Sequence, residues 1–231
     1  MLDAYGTATG SGPQHGYRGE NEPLAIGGWP SGLTIAVSRE CGARGASIAK
    51  RVGRKLGWQV FDQEQLEFLS QAEGSTQGMP EGARIWADER LDALLRAEAL
   101  NSDPGAIQLA RVILTLGAQG EAVLVGRGAG HILPSASTLH VRVVAPLEDR
   151  IAYMTQWLRL PESEAAEEIR RRDIGRGQFL KQRLQASSND VQIFDLVLNS
   201  GRLGEETCAD LIAQAAKAKL LSLDPADDEE G

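Results

Sequence analysis

The sequence predicts an α/β protein whose mainly parallel sheet is covered by helices on both faces. Short apolar or β-branched runs alternate along the chain with segments in which apolar residues recur at helical spacing, and this alternation is typical of such folds. Two of the runs, at 33–38 and 122–125, are followed directly by glycine-containing loops. Because ligands of open parallel sheets bind beyond the carboxyl ends of the strands, both loops are expected at a binding site.

The elements of the first half are predicted from apolar spacing and from residues that end helices. After the strand at 33–38, apolar residues return at helical spacing from Ser47 to Leu56, and Gly57 stands where a helix C-cap belongs. Residues 73–82 contain glycine, serine and proline and predict a loop. The other predicted elements of this half are a strand at 59–61, helices at 64–72, 84–99 and 104–117, and a strand at 122–125.

The second half continues the alternation. An apolar strand at 139–144 stops at Pro146, where a helix can begin with Glu148 and Asp149 in its first turn. The remaining predicted elements are a helical segment at 162–187, a strand at 194–198 and a closing helix at 205–221.

Composition and charge exclude several classes of protein. The chain has 231 residues and a net charge of −8, which argues against a surface that binds nucleic acid. No apolar run approaches the roughly 20 residues of a membrane span, and the N-terminus has no basic-then-apolar signal pattern. The two cysteines, Cys41 and Cys208, lie far apart without metal-ligand spacing, so we expect a reduced, cytoplasmic protein.

Composition also predicts the domain boundaries. Residues 1–32 are rich in glycine, serine, proline and other polar residues, and cannot bury enough apolar surface to offset the entropy of ordering. We therefore expect a disordered polar arm at 1–32, one folded domain at 33–222 and a disordered acidic tail at 223–231.

The loop between the first strand and the first helix, SRECGARGAS, is a candidate phosphate loop. Its glycines allow backbone N–H groups to turn inward, and the following helix offers unpaired N–H groups and a positive dipole end. Arg39 and Arg44 add positive charge, and the Ser47 hydroxyl lies where a magnesium ligand would sit. A tight turn without a ligand is the alternative, since short glycine loops are common between strand and helix.

Several segments in order resemble the cytidylate-kinase-like family of P-loop kinases. They are TIAVSRECGARGASIAKRVGRKLGWQVFDQEQL, VLVGRGAGHIL, LHVRVVAPLEDRI and FDLVLNSGRLGEET. The resemblance spans about 33–215 and implies a three-layer P-loop kinase-like fold, with a central mainly parallel sheet and a helical lid at about 158–188.

The resemblance also implies roles for individual residues. ATP and Mg²⁺ would be the cofactors, and a nucleoside monophosphate the acceptor. Asp62, Arg127 and Gly128 would bind the acceptor, and Ser47 would be the metal ligand. Asp173 and Arg176 match a D-x-x-R pattern of the family's lid, next to Arg172; with Arg127 these form the predicted catalytic group. The donor would lie on Arg39, Gly42, Ala43, Arg44, Gly45, Ala46 and Ser47.

Three positions depart from what the resemblance implies. The lysine of the general pattern G-x-x-x-x-G-K-[ST] falls on Gly45 or Ala46, which carry no charge. Val125 stands where nucleoside monophosphate kinases usually have a magnesium-side Asp, and Gln63 replaces a commonly basic residue. Because phosphoryl transfer depends on positioning and charge stabilisation, these changes bear on catalysis unless the loop or lid arginines substitute.

Structural roles are the alternative for several of these residues. Asp62 could cap the helix that follows it, and the arginines between 170 and 183 could form a solvated face paired with nearby Glu residues. His131 and His140 have no partner at metal or triad spacing, so structural or surface roles are expected. Trp86 and Trp157 are expected to close helix packing.

The leading hypothesis is an ATP-dependent phosphotransferase that acts on a nucleoside monophosphate, CMP or dCMP by resemblance. A second is a nucleotide-binding module that has lost catalysis, motivated by the missing lysine and by Val125. A third is a kinase for another small phospho-acceptor, because Gln63 and Gly128 alter positions expected to read the base.

Overall fold

The structure is a computed structural model, and it describes residues 29–72, 74–187 and 190–223. These residues form five strands and eight helices. The strands are β1 (Thr34–Arg39), β2 (Gln59–Phe61), β3 (Ala122–Val125), β4 (Thr138–Val144) and β5 (Leu196–Asn199). The helices are α1 (Gly45–Leu56), α2 (Gln63–Gln71), α3 (Glu81–Arg96), α4 (Pro104–Gln119), α5 (Ala129–Ile132), α6 (Leu147–Leu158), α7 (Glu162–Leu184) and α8 (Ser200–Leu223).

All five strands lie in one parallel sheet with the order β2-β3-β1-β4-β5. The first strand of the chain is therefore central, and Val37 of β1 aligns with Val125 of β3 and with Val141 of β4. Parallel neighbours bring their carboxyl ends to the same edge. The loops after β1, β2 and β3 consequently meet at one edge of the sheet, as the sequence predicts.

Alternate side chains of the strands enter two apolar cores, one on each face of the sheet. Ile35 and Val37 of β1 pack with α1 and α8, whereas Ala36 between them packs on the opposite face with α2, α3 and α4. Both faces are buried because β1 is central, and this accounts for its continuous apolar sequence. Trp86 is 3% exposed in the second of these cores, as expected of a residue that closes helix packing.

A third, smaller apolar cluster joins the phosphate loop to α6 and α7. Its buried members are Cys41, Met154, Ala165 and Ile169. Helix α7 lies within the predicted lid at about 158–188. Its N-terminal half packs against α6 and the loop, and its C-terminal residues Phe179 and Leu180 pack against the core beside α4.

The predicted domain boundaries stay a prediction. Most of the predicted arm and tail lies outside the described residues. At the start of the described residues, Trp29 packs against the core, and Ser31 N donates to the carbonyl of Ala118 at 2.8 Å. Among the described helices, none is long and apolar enough to cross a membrane.

Candidate functional site

The loop between β1 and α1 has the geometry of an anion-binding turn. Gly42 has φ +80°, and a Cβ there would lie 2.8 Å from the carbonyl oxygen of Arg150, so only glycine fits. Arg44, the residue before α1, is in the left-handed region with φ 59° and makes no side-chain capping bond. The first N–H groups of α1 therefore lack a side-chain cap and remain available to an anion.

A cavity of about 340 Å³ opens at this loop, and we call it the phosphate-loop cavity. Its lining includes six of the seven residues predicted to bind the donor: Arg39, Gly42, Arg44, Gly45, Ala46 and Ser47. Ala43, the seventh, has its side chain fully buried in the core beside α1 and contributes only backbone to the loop. Asp62 also lies in this lining.

A second cavity, of about 420 Å³, lies beyond the end of β3, and we call it the β3 cavity. Its lining includes Arg127, Gly128, His131, Arg142, Phe179 and Phe194. Both cavities are lined by Arg39, Gln63, Glu64, Arg172 and Arg176. The two cavities therefore adjoin, and Arg39, Arg172 and Arg176 lie at their junction.

The charged form of Arg39 is disfavoured by burial and by neighbouring positive charges. Burial, followed by the charges of Arg176 and Arg127, lowers its pKa from 12.5 to about 10. Its guanidinium donates to Oε1 of Gln63 at 3.3 Å, and no carboxylate of the described residues forms an ion pair with it. A largely buried cation without an ion-pair partner is unfavourable, and an anionic ligand would stabilise it.

Arg127 lies between an acidic and an aromatic partner. It forms an ion pair with Glu67, and its guanidinium lies 4.9 Å from the centroid of Phe179. Burial, and then the charge of Arg176, lowers its pKa. The preceding Gly126 has φ +84°, and a Cβ there would collide with the Arg39 guanidinium, so this glycine lets the two loops approach.

The D-x-x-R segment of α7 is tied to the phosphate loop. Asp173 accepts from Arg150 at 2.6 Å, from Arg176 at 3.0 Å and from the backbone N–H of Cys41 at 2.8 Å. All of these contacts are made to protein groups. Asp173 therefore positions Arg176 beside the loop, and the catalytic role that the resemblance implies for Asp173 stays a prediction.

The arginines of α7 divide between cavity and solvent. Arg170 is paired with Glu167 and lines neither cavity, so the alternative of a solvated face holds for it. Arg172 pairs with Glu168 at 2.5 Å and lines both cavities. Arg176 also lines both cavities, and the catalytic roles expected of Arg172 and Arg176 stay predictions.

Ser47 and Asp62 make structural contacts. The Ser47 hydroxyl donates to Glu205 of α8, whose carboxylate also pairs with Arg51 at 3.3 Å. Oδ1 of Asp62 accepts from the backbone N–H groups of Glu64 and Gln65, so it caps α2 as the alternative proposed. Both residues still line the phosphate-loop cavity.

His140 is structural, in agreement with the expectation. It is 4% exposed, its Nδ1 lies 2.9 Å from the carbonyl oxygen of Ile193, and its backbone N–H donates to Asp195 at 2.6 Å. The carbonyl can only accept, so Nδ1 carries the proton. Burial, and then the neighbouring His131, lowers the pKa of His140 to about 4.

Sequence reasoning missed several residues of the two cavities. Lys50 and Tyr153 line the phosphate-loop cavity, and Arg142 lines the β3 cavity. The expectation that Trp157 closes helix packing is wrong: it is 60% exposed and lines the phosphate-loop cavity. Lys50 could have been found by helical spacing, since it stands four residues after Ala46 and hence on the same face of α1.

The residues that match a known family include the lining of both cavities. The profile of the cytidylate kinase-like family matches residues 34–202, more than half of the chain. The chain belongs to the cytidylate kinase-like family. The match runs from β1 to the first turn of α8 and includes every residue predicted for the site. The predicted fold class, a three-layer P-loop kinase-like fold, is confirmed.

Solved structures share the fold at low sequence identity. A crystal structure of an uncharacterised protein from Eubacterium ventriosum superposes with a TM-score of 0.63 and 17% identity, over 80% of this chain and 99% of that one. Shikimate kinase from Acinetobacter baumannii gives a TM-score of 0.47 and 13% identity, over 83% and 97% of the two chains. The first of these supports the fold alone.

A curated relative is longer. A protein of Corynebacterium glutamicum named uronate isomerase is 25% identical over 189 residues. The match covers 75% of this chain but only 36% of that protein. The chain thus spans about a third of the length of this relative.

Proposed function

We propose that the protein is a nucleoside monophosphate kinase-like phosphotransferase, which transfers the terminal phosphoryl group of ATP to an acceptor such as CMP or dCMP. The observation that supports this most is the junction of two cavities at Arg39, Arg172 and Arg176. Cavities of about 340 and 420 Å³ fall within the range of small-molecule sites.

The phosphate loop would hold the donor. Its left-handed Gly42 and the uncapped start of α1 present backbone N–H groups, and Arg44 and Lys50 add positive charge where Ala46 gives none. Lys50 is exposed and has no ion-pair partner among the described residues, so its charge is available to phosphates.

The β3 cavity would hold the acceptor. Arg127 and Arg142 suit its phosphate, and Phe179 and Phe194 offer apolar and aromatic surface to its base. An acceptor phosphate oxygen would attack the terminal phosphorus of ATP, and ADP would leave as the bond to the β,γ-bridging oxygen breaks. Arg39, Arg172 and Arg176 surround the junction where negative charge is concentrated during that step.

Magnesium would enter with the phosphates of the donor. Mg²⁺ keeps several waters and is commonly held by substrate phosphates with one or two protein oxygens. Ser47 fits such a role, because its hydroxyl lies on the first turn of α1 and in the cavity lining, although it now donates to Glu205. Bound there, the ion would neutralise charge on the phosphate oxygens.

The test is ADP formation from magnesium ATP with a panel of CMP, dCMP, UMP, AMP and GMP. We expect ADP that depends on one or more acceptors, a loss of at least tenfold in Arg127→Ala, and unchanged rates in Arg54→Ala. Arg54 is an exposed arginine of α1 that lines neither cavity, so it controls for the loss of a positive charge. Folded protein that forms no acceptor-dependent ADP would contradict the kinase proposal.

One observation favours a binding module that has lost catalysis. Val125, at the position where related kinases have a magnesium-side Asp, is fully buried among apolar side chains and supplies no oxygen to a metal ion. ATP and CMP that bind without turnover would support this second function.

A further inference from the structure

Helix α6 carries two aromatic residues on one face, one turn apart, at the phosphate-loop cavity. Tyr153 and Trp157 are four residues apart, so they are neighbours on the helix surface, and both line the cavity. Trp157 is 60% exposed, whereas Met154 between them is 2% exposed in the apolar cluster below. Tyr153 is partly buried and packs against that cluster, whereas Trp157 is not part of it. Both rings form part of the cavity wall.

Each ring lies beside an arginine of the phosphate-binding machinery. The guanidinium of Arg44, in the phosphate loop, is 5.1 Å from the centroid of Tyr153. That of Arg172, on the predicted lid, is 6.0 Å from the centroid of Trp157. Flat aromatic surface and phosphate-directed charge thus adjoin in one cavity of about 340 Å³.

A ligand that matches both surfaces has phosphates joined to a planar heterocycle. Aromatic side chains stack on any nucleobase, because every base has a π-face. With the phosphates on the loop, the base of the same molecule would lie against the wall formed by α6. An unsubstituted polyphosphate would use the arginines but leave the rings exposed.

We propose that Tyr153 and Trp157 form a stacking platform for the base of the phosphoryl donor, with Trp157 the main contact. This inference rests on the proposed function, since it requires that the phosphate loop hold the donor. It assigns donor affinity to a residue outside the loop. The platform offsets the absence of a charged side chain at Ala46, because it adds affinity through the base.

The experiment compares two ligands that share the phosphates and differ in the base. Dissociation constants of magnesium ATP and of magnesium tripolyphosphate are measured by titration calorimetry for the full-length wild type, Trp157→Ala and Trp157→Phe. Stacking contributes about 1–3 kcal/mol per base, so Trp157→Ala should weaken ATP binding roughly 5- to 150-fold. Tripolyphosphate binding should change less than twofold, and Trp157→Phe should retain most of the ATP affinity.

Tryptophan emission gives an independent readout. ATP should quench the fluorescence of the wild type, and tripolyphosphate should not. The quench should disappear in Trp157→Phe and remain in Trp58→Phe, a matched control because Trp58 lines neither cavity and packs partly on the core. Because Trp157 is exposed, thermal unfolding of its variants should match the wild type within about 2 °C.

The outcomes separate this inference from the function on which it rests. Equal ATP affinity in wild type and Trp157→Ala overturns the platform and leaves the kinase proposal standing. Equal weakening of ATP and tripolyphosphate also overturns it, because Trp157 would then act on the phosphate loop. If neither ligand binds the wild type, the donor site fails and the platform with it.

Discussion

Removing the charge of Arg39 should stabilise the protein while it weakens ligand binding. In the folded state, burial and the charges of Arg176 and Arg127 lower the pKa of Arg39 from 12.5 to about 10. At 1.36 kcal/mol for each pH unit, holding the charged form costs roughly 3 kcal/mol relative to the unfolded chain. Arginine stays protonated at neutral pH in both states, so folding bears this cost in full.

The variant Arg39→Met removes the charge and keeps most of the aliphatic length. It also loses the hydrogen bond to Gln63, a contribution of about 1 kcal/mol. The net expectation is a gain of about 2 kcal/mol in the free energy of unfolding, or a rise in Tm of roughly 4–8 °C for a domain of this size. Urea and thermal unfolding followed by circular dichroism, in buffer without phosphate or sulfate, measure both quantities.

The same unfolding assay in the presence of ligand tests whether Arg39 binds the ligand or only destabilises the fold. Magnesium ATP should raise the Tm of the wild type more than that of Arg39→Met, because the anion relieves a repulsion that only the wild type has. Arg54→Met, at an exposed position, should change the free energy of unfolding by less than about 0.5 kcal/mol. A destabilised Arg39→Met, or equal stabilisation of both proteins by ATP, would refute the reasoning.

Three further changes have defined outcomes. Lowering the pH from 7 to 4 should reduce the free energy of unfolding by up to about 3 kcal/mol through His140, because the unfolded chain takes up the proton near pH 6.5 and the folded chain only near 4. In urea unfolding, the stability of His140→Asn should depend less on pH, and a pH dependence identical to that of the wild type would exclude His140 as the cause. Asp173→Asn should lower kcat more than it raises KM for ATP, since it releases Arg150 and Arg176 rather than a ligand contact; a change confined to KM would contradict that positioning role. Lys50→Met should weaken ATP binding roughly tenfold with no loss of stability, whereas Lys50→Arg should bind normally, and equal affinities for all three proteins would remove Lys50 from the donor site.

Local sequence signals were sufficient for most of the fold. Glycine and proline set the boundaries that were predicted well: Gly57 caps α1 in the left-handed region, and α6 begins directly after Pro146. The errors arose where tertiary contacts override a local signal. Helix α4 continues through Gly117 to Gln119, because Gly117 packs directly under Leu133, where a Cβ would collide.

The start of β5 shows the same limit. The strand was predicted from Phe194, but it begins at Leu196. Phe194 lies 4.6 Å from the ring of His140, and Asp195 accepts the backbone N–H of His140 at 2.6 Å. Both residues contact a histidine that lies more than fifty positions earlier in the chain, and such contacts cannot be predicted from local sequence.

Site residues that stand in a sequence motif were predictable, and those brought to the site only by the tertiary fold were not. The phosphate loop, Arg127 and the arginines of α7 follow from glycine placement and from the resemblance. Trp157 reaches the phosphate-loop cavity through the turn of α6 and stands in none of the segments that resemble the family. Arg142 lies in one of those segments, but it reaches the β3 cavity because of the order of the strands. Long-range contacts of this kind leave no periodic or local trace in one sequence.

The proposed function requires that the two cavities form one phosphoryl-transfer site joined at Arg39. The most direct measurement is the affinity of a bisubstrate compound, adenosine and cytidine linked through five phosphates, compared with ATP and CMP by titration calorimetry. Linking converts the second binding event into an intramolecular one, so the compound should bind one-to-one and at least 100-fold more tightly than ATP. Arg39→Met should lose most of that gain. A linked compound that binds no more tightly than ATP would show that the cavities do not act as one site.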